Sequence, residues 1–341
     1  MTKIYRYRKE MQSGLYIKDY SLSTLINIPA PILEELGKIS KPIVLSYPSP
    51  FITSIAENDL VHAELFMNHN KNNTLLILLH GFSSKLHRLR NYYDFIASAL
   101  NQGINCAFLN MPFHLQRTPA GEISGERLIY FDDIHTLEFY HQAVVDTKRL
   151  IDIVQDSFGF KRIILCGFSL GSMVSTISIA TDCRINKGIL VFGGGNWFEI
   201  HWNSTLAYIL KGNCMQDGEI TKEKCSLIYK DFPDFLKEFK TTDMELIDFE
   251  LSKTGSLKDK TTRKCFLCDP LAFGHKISPE KILILGSKLD HFFTKNSVIQ
   301  LHNEIGNPEI HWFNRIHSSA ILADNHAKTY IFDFIKDNRY P

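Results

Sequence analysis

The chain has 341 residues, 44% of them hydrophobic and 22% charged, which is ordinary globular usage and enough for a sizeable core. With 38 basic against 37 acidic residues the formal charge is +1, so no electrostatic footprint for nucleic acid or an anionic membrane surface exists. A partner must be recognised by a local site, and the length fits two average domains or one large domain carrying an insertion.

The opening residues Met1–Glu10 (MTKIYRYRKE) alternate basic and aromatic side chains. They lead into no apolar run of the about 7–15 residues that a secretory signal needs. The longest purely aliphatic stretch, Leu75–Leu79, is far short of the roughly 18 residues of a membrane span. A cytoplasmic protein with no membrane span is expected. The seven cysteines are odd in number and follow no small-domain disulfide pattern, so reduced thiols are expected. Cys265 and Cys268 form one C-x-x-C, with Cys214 and Cys225 upstream. A zinc site usually draws its four ligands from two tight pairs, so no metal is expected here.

Residues 1–40 form the first unit, an N-terminal helical segment. Leu22, Leu25, Ile26, Ile32, Leu33 and Leu36 fall at helical spacing, interrupted by Pro29 and Pro31 and closed by Gly37. Short apolar runs then predict strands at Ile43–Tyr47, Val61–Met67, Thr74–Leu79 and Ile104–Asn110. The series continues with Arg162–Cys166, Gly188–Phe192, Lys281–Leu285 and Glu309–Phe313. Helical patterns over 88–102, 134–158, 171–182 and 294–306 separate them. Alternation of this kind predicts a doubly wound, mostly parallel sheet of eight strands, the first two pairing antiparallel. The interval between Phe192 and Lys281 carries helical patterns (Ile200–Leu210, Lys222–Phe232, Phe235–Phe239, Met244–Leu251) and is too long for an ordinary connection. It is read as a helical lid, residues 194–273, inserted into a core made of 41–193 and 274–341.

The chemistry begins at Arg162–Gly171, RIILCGFSLG, an apolar strand running into Gly167-Phe168-Ser169-Leu170-Gly171. A bare G-x-S-x-G arises by chance in about one chain of this length in ten. Its setting gives it weight. A serine on a sharp turn between strand and helix needs small neighbours, and SMVSTISIA follows as a small-residue helix. Upstream, LLILLHGF ends a buried strand in His80-Gly81-Phe82. The backbone N–H groups of Phe82 and of Leu170 are the expected oxyanion donors, with His80 in a structural role.

Downstream, KILILGSKLDH places Asp290 just past one strand, and NRIHSS places His317 just past the next. All three groups fall on the carboxyl edge of a doubly wound sheet, where ligands bind. A serine hydroxyl needs an imidazole to take its proton and a carboxylate to fix the ring, which makes Ser169, His317 and Asp290 the nucleophile, base and acid. Asp269 and Glu199 are the alternative acids.

With HGF, GFSLG, Asp290 and His317 in the order Ser–Asp–His, the chain resembles the α/β-hydrolase superfamily over essentially its whole length. Residues 108–128 (LNMPFHLQRTPAGEISGERLI) and 193–203 (GGGNWFEIHWN) resemble a largely uncharacterised branch of dienelactone-hydrolase-like esterases. The superfamily resemblance implies an α/β-hydrolase fold and, with the three groups above, hydrolysis of a small-molecule carboxylic ester, thioester, lactone or amide through an acyl-enzyme, while the branch brings no defined substrate. No metal or organic cofactor is required for this chemistry. Dienelactone hydrolase itself uses a cysteine, and this chain has Ser169, so that activity does not transfer. An acyltransferase with the same three groups and a catalytically silent binding protein are the rival readings.

Two regions are candidates for substrate contact. In the loop PFHLQRTPAGE, His114 and Arg117 follow a strand end. Arg117 offers either a bidentate partner for a substrate carboxylate or a structural pair with Glu122, Glu126 or Asp132. In the lid, Trp197, Trp202, Tyr208, Tyr229, Phe232 and Phe235 either line an apolar pocket over Ser169 or hold the lid to the core.

Overall fold

Every side chain of the run Thr74–Leu79 (TLLILL) is buried, as a strand covered on both faces demands. Leu75, Ile77 and Leu79 point into one apolar cluster and Leu76 and Leu78 into the other, the period-two alternation of a strand between two helical layers. A computed structural model describes residues 3–6, 17–19, 42–68, 72–82, 86–129, 132–210, 213–214, 218–243, 256–257, 260–261 and 264–337.

The sheet strands are β1 (Ile17–Asp19), β2 (Ile43–Pro48), β3 (Leu60–Phe66), β4 (Thr74–Leu79), β5 (Asn105–Leu109), β6 (Arg162–Phe168), β7 (Ile185–Val191), β8 (Ile282–Ser287) and β9 (Glu309–Phe313). They lie side by side in the order β1-β2-β3-β5-β4-β6-β7-β8-β9. From β5 to β9 all pairings are parallel, while β1–β2, β2–β3 and β3–β5 are antiparallel. The expected eight strands are present. The ninth, β1, comes from the segment expected to be helical, and the helix expected over 20–37 lies outside the described residues. A three-residue strand leaves almost no periodic signal; its backbone caps the edge of β2, whose N–H and C=O groups need partners.

Helices α1 (Leu86–Asn101) and α8 (Asn325–Lys336) pack on one face, and α2 (Asp133–Phe158) and α3 (Leu170–Thr181) on the other. Asp132 caps α2 by accepting from the His135 amide, and Gly159 ends it at φ 74°. No helix among the described residues is long and apolar enough to cross a membrane.

Between β7 and β8 the chain builds α4 (Trp197–Trp202), α5 (Lys222–Tyr229) and α6 (Phe232–Thr241) before re-entering the sheet, followed later by α7 (Lys295–Ile305). This interval also holds two short antiparallel ladders, at 213–219 and 256–261, which its helical patterning did not foretell. The helix expected over 244–251 lies outside the described residues. On α6, Phe232, Phe235 and Phe239 share a buried face, with the Phe232 and Phe266 rings 4.9 Å apart.

Glu64 on β3 is buried and accepts from the Tyr93 hydroxyl at 2.6 Å. Burial pushes its carboxyl up from the ordinary 4.5 to about 7. The folded state therefore holds this proton more tightly than the unfolded chain. Its contribution is complete below about pH 4.5 and is lost as pH rises through about 7. Glu64→Gln keeps an acceptor for Tyr93 but removes the titration. Denaturation from pH 4 to 8 should show a fall in stability for the wild type that is smaller in the variant by up to about 3 kcal/mol. Parallel profiles would contradict it.

Candidate active site

Strands β4 and β6 are neighbours with Leu79 opposite Gly167, so the segments that follow them, His80–Phe82 and Phe168–Ser169, lie side by side. The chain leaves β4 toward β5 and returns past it to β6, which makes this pair the switch point where a crevice opens. Ser169 stands between β6 and α3 at φ 56°, ψ −117°, a conformation that costs a non-glycine residue about 1–3 kcal/mol. Two glycines make the turn possible. A Cβ on Gly167 would come within 2.1 Å of the Gly171 carbonyl oxygen, and one on Gly171 within 2.3 Å of the Leu79 carbonyl oxygen.

Asp290 follows β8 in a tight turn, where its Oδ1 accepts from the Phe292 and Phe293 amides at 2.8 and 2.9 Å. Its Oδ2 lies 2.8 Å from His317 Nδ1, and His317 Nε2 lies 2.8 Å from Ser169 Oγ. Carboxylate, imidazole and hydroxyl thus form one hydrogen-bonded chain. With the proton on Nδ1, His317 donates to Asp290 and accepts from Ser169, the tautomer a proton-abstracting base requires. The side chains of His317 and Asp290 are only 7% and 2% exposed. Phe168, Phe192, Phe292 and Phe293 surround the imidazole at ring distances of 4.9–6.1 Å. In such an apolar setting the Asp290 charge acts with little screening.

Gly81 packs directly on this turn; a Cβ there would lie 2.8 Å from the Phe168 ring and 3.4 Å from the Ser169 Cβ. His80 is fully buried, 2.9 Å from the Gly81 carbonyl oxygen through Nδ1, while its Nε2 accepts from the Met111 amide at 3.1 Å. Burial, with His114 alongside, lowers its pKa to about 3, so the ring is neutral. The Tyr92 hydroxyl accepts from the Gly81 amide at 2.9 Å. The Gly81 carbonyl and the Phe82 N–H belong to one planar peptide, so these contacts fix where the Phe82 N–H points. His80 has the structural role expected of it, as a clamp that no local sequence pattern marks. Tyr92 carried no signal, because its position on α1 reads as helix core.

Ser169 and His317 open into a cavity of about 660 Å³, also lined by Phe82, Leu170, Met173 and Trp197. Of the aromatic residues singled out in the inserted segment, Trp197 alone is among the described lining residues. Trp202 is not there: it stacks on His201 at 4.5 Å. Tyr208 is 88% exposed, and Tyr229, Phe232 and Phe235 pack with Phe266 under the insertion. The roof is aliphatic instead, formed by Ile200, Leu206, Ile209 and Leu210.

His114 and Arg117 require correction too, since both are fully buried and neither is among the lining residues. His114 Nδ1 lies 2.8 Å from the Pro112 carbonyl oxygen. Arg117 donates to the Asn58 and Asn110 carbonyls and pairs with Asp146 at 2.8 Å, not with Glu122, Glu126 or Asp132. An acid on α2 had no reason to be chosen from sequence distance alone. Asp269, an alternative acid, is likewise committed elsewhere. Its carboxylate accepts from the Asn196, Trp197 and Leu271 amides and the Tyr229 hydroxyl, and burial raises its pKa to about 6. Glu199 Oε2 accepts from the Thr294 hydroxyl at 3.3 Å. No group of His, Cys, Asp and Glu side chains suited to a metal ion occurs among the described residues.

No family model and no curated protein matches the sequence. Solved structures do match the fold. An esterase of Pyrococcus furiosus superposes with a TM-score of 0.53 at 16% identity, over 89% of this chain and 94% of that one. A cold-adapted esterase from an Arctic intertidal metagenomic library gives 0.53 at 13%, over 94% and 98%. The acetyl xylan esterase of Paenibacillus sp. R4 gives 0.54 at 12%, over 95% and 88%. With the sheet order and the crevice position, these likenesses define the fold of this chain as that of the α/β-hydrolases.

The burial of Arg117 has a measurable consequence. Arg117→Ala leaves Asp146 buried without its partner and should cost about 3–5 kcal/mol of stability. Thermal denaturation of wild type and variant checks this, and an unchanged melting temperature would contradict it.

Proposed function

We propose that the protein is a serine hydrolase that cleaves carboxylic esters of small molecules, with Ser169 as nucleophile. The observation that carries this reading is the Asp290–His317–Ser169 hydrogen-bonded chain at the base of the cavity. As Ser169 Oγ attacks the acyl carbon, His317 Nε2 takes its proton, and Asp290 stabilises the resulting imidazolium. Negative charge on the carbonyl oxygen is met by the Phe82 and Leu170 amides, aided by the N-terminus of α3. The carbon–oxygen bond to the leaving alcohol then breaks while His317 returns the proton to that oxygen. Water, deprotonated by the same imidazole, attacks the acyl-enzyme and releases the carboxylic acid and free Ser169. The helices between β7 and β8 act as the lid, whose aliphatic roof keeps bulk water from the acyl-enzyme.

The test uses p-nitrophenyl esters and a fluorophosphonate probe. Wild type should turn over the esters and be labelled on Ser169. Ser169→Ala and His317→Ala should each lose on the order of 10³-fold or more in kcat, and the double variant little beyond that, because the groups act as a unit. Asp290→Asn should fall by up to about 10⁴-fold with the fold intact. Labelling at another residue, or additive losses, would overturn the assignment.

A further inference from the structure

The cavity over Ser169 has a chemical character that narrows the substrate. Among the described residues lining it there is no lysine, arginine, aspartate or glutamate. Its two tyrosine hydroxyls are occupied: Tyr92 accepts from the Gly81 amide, and Tyr140 donates to the Met173 sulfur at 3.4 Å. Away from His317 the wall is mostly hydrocarbon and indole, from Met173, Trp197, Ile200, Leu206, Ile209 and Leu210. Trp197 is held there, its indole N–H donating to the Cys268 carbonyl at 3.2 Å and its amide to Asp269 at 2.7 Å. Thr136, also in the lining, spends its hydroxyl on the Asp132 carbonyl, and His291 lies beside His317 at a ring distance of 6.2 Å. Ser318 and Ser319 follow His317 in the chain, and the Asn91 amide donates to the Ser319 hydroxyl at 2.9 Å.

These two ends meet different parts of an ester. Because His317 must protonate the leaving oxygen, the leaving alcohol lies at the polar end. The acyl group then extends under the aliphatic roof. A substrate carboxylate on that side would lose its hydration with no cation among the described lining residues to replace it, which is heavily disfavoured. An acetyl group would leave most of the 660 Å³ empty, whereas volumes of this size ordinarily enclose a whole small ligand.

Resting on the serine-esterase reading, we infer that the substrate is an ester of an uncharged, apolar acid of medium chain length, seated against Trp197 and Ile200, with a small polar alcohol beside Asn91 and Ser319.

Straight-chain p-nitrophenyl esters from acetyl to dodecanoyl test it, together with a p-nitrophenyl monoester of a dicarboxylic acid. For wild type, kcat/KM should rise from acetyl to about octanoyl by up to about fourfold per methylene, the equivalent of about 0.8 kcal/mol. It should then level or fall. The carboxylate-bearing ester should be slower than the neutral ester of the same length by on the order of 100-fold. Ile200→Trp fills the roof and should move the optimum to shorter chains. If that variant fails to fold, Leu206→Arg, at a half-buried position, should raise the turnover of the carboxylate-bearing ester relative to its neutral counterpart. A flat or acetyl-preferring profile, or preference for the charged ester, with Ser169 still labelled by the fluorophosphonate, overturns this inference alone. Loss of that labelling on folded protein overturns the serine reading and this inference together.

Discussion

At φ 56° and ψ −117° the Ser169 backbone occupies a conformation that a side chain normally avoids, and it stays there because its neighbours leave no alternative. Its amide donates to the Val191 carbonyl of β7 at 2.9 Å, and its own carbonyl accepts from the Ser172 and Met173 amides at the start of α3. The strand end and the helix start on either side of the turn are thus both held in place. The closeness this demands leaves no room for side chains at 167 and 171, so the glycine spacing is a steric requirement of the turn. The remaining polar groups are arranged around this residue. His80–Phe82 lies against it because β4 pairs with β6, and Asp290 and His317 reach it from β8 and β9 along the same sheet edge.

The cavity depends on a second constraint, at the other end of the insertion. One buried carboxylate, Asp269, accepts from backbone amides at both ends of the segment between β7 and β8: Asn196 and Trp197 near its start, Leu271 near its end. The Tyr229 hydroxyl adds a contact from α5. A long inserted segment pays little extra loop entropy for its length, but its ends must be brought together. Asp269 joins them directly behind the wall that Trp197 presents to Ser169. The Phe232, Phe235, Phe239 and Phe266 rings then pack the insertion from beneath, which keeps them out of the cavity.

The pattern of legibility follows from the range of the interactions. Strand β4 was readable to the residue because continuous aliphatic burial is a local property of Thr74–Leu79. The GFSLG turn, Asp290 and His317 were readable as positions past strand ends, and the structure brings those three side chains together. Partners chosen in three dimensions were not readable: Arg117 with Asp146, Asp269 with Asn196 and Trp197. Aromatic composition left the choice between cavity and core open for a related reason. A ring on an amphipathic helix has the same local pattern whether its face meets a cavity or a core, and Phe232 and Phe235 meet a core.

The same distinction explains how a residue displaced from the cavity still bears on it. Arg117 holds the Asn110 carbonyl at 3.1 Å and, with Asp146, anchors the loop after β5 to α2. The next residue, Met111, donates its amide to His80 Nε2, and His80 in turn reaches the Gly81 carbonyl at 2.9 Å. Asn58 closes the arrangement by accepting from the Phe113 amide and donating to Gln142. A buried ion pair adds little net stability over a well-packed apolar replacement, because desolvation consumes most of the Coulombic gain. Hydrogen bonds to carbonyls and amides do something that apolar packing cannot: they fix orientation as well as position. Along this chain of contacts the orientation that results is that of the Gly81–Phe82 peptide, at the turn packed against Phe168 and Ser169. Of its two expected roles the loop after β5 takes the structural one, with Asp146 as the partner, and it supports the Gly81–Phe82 peptide.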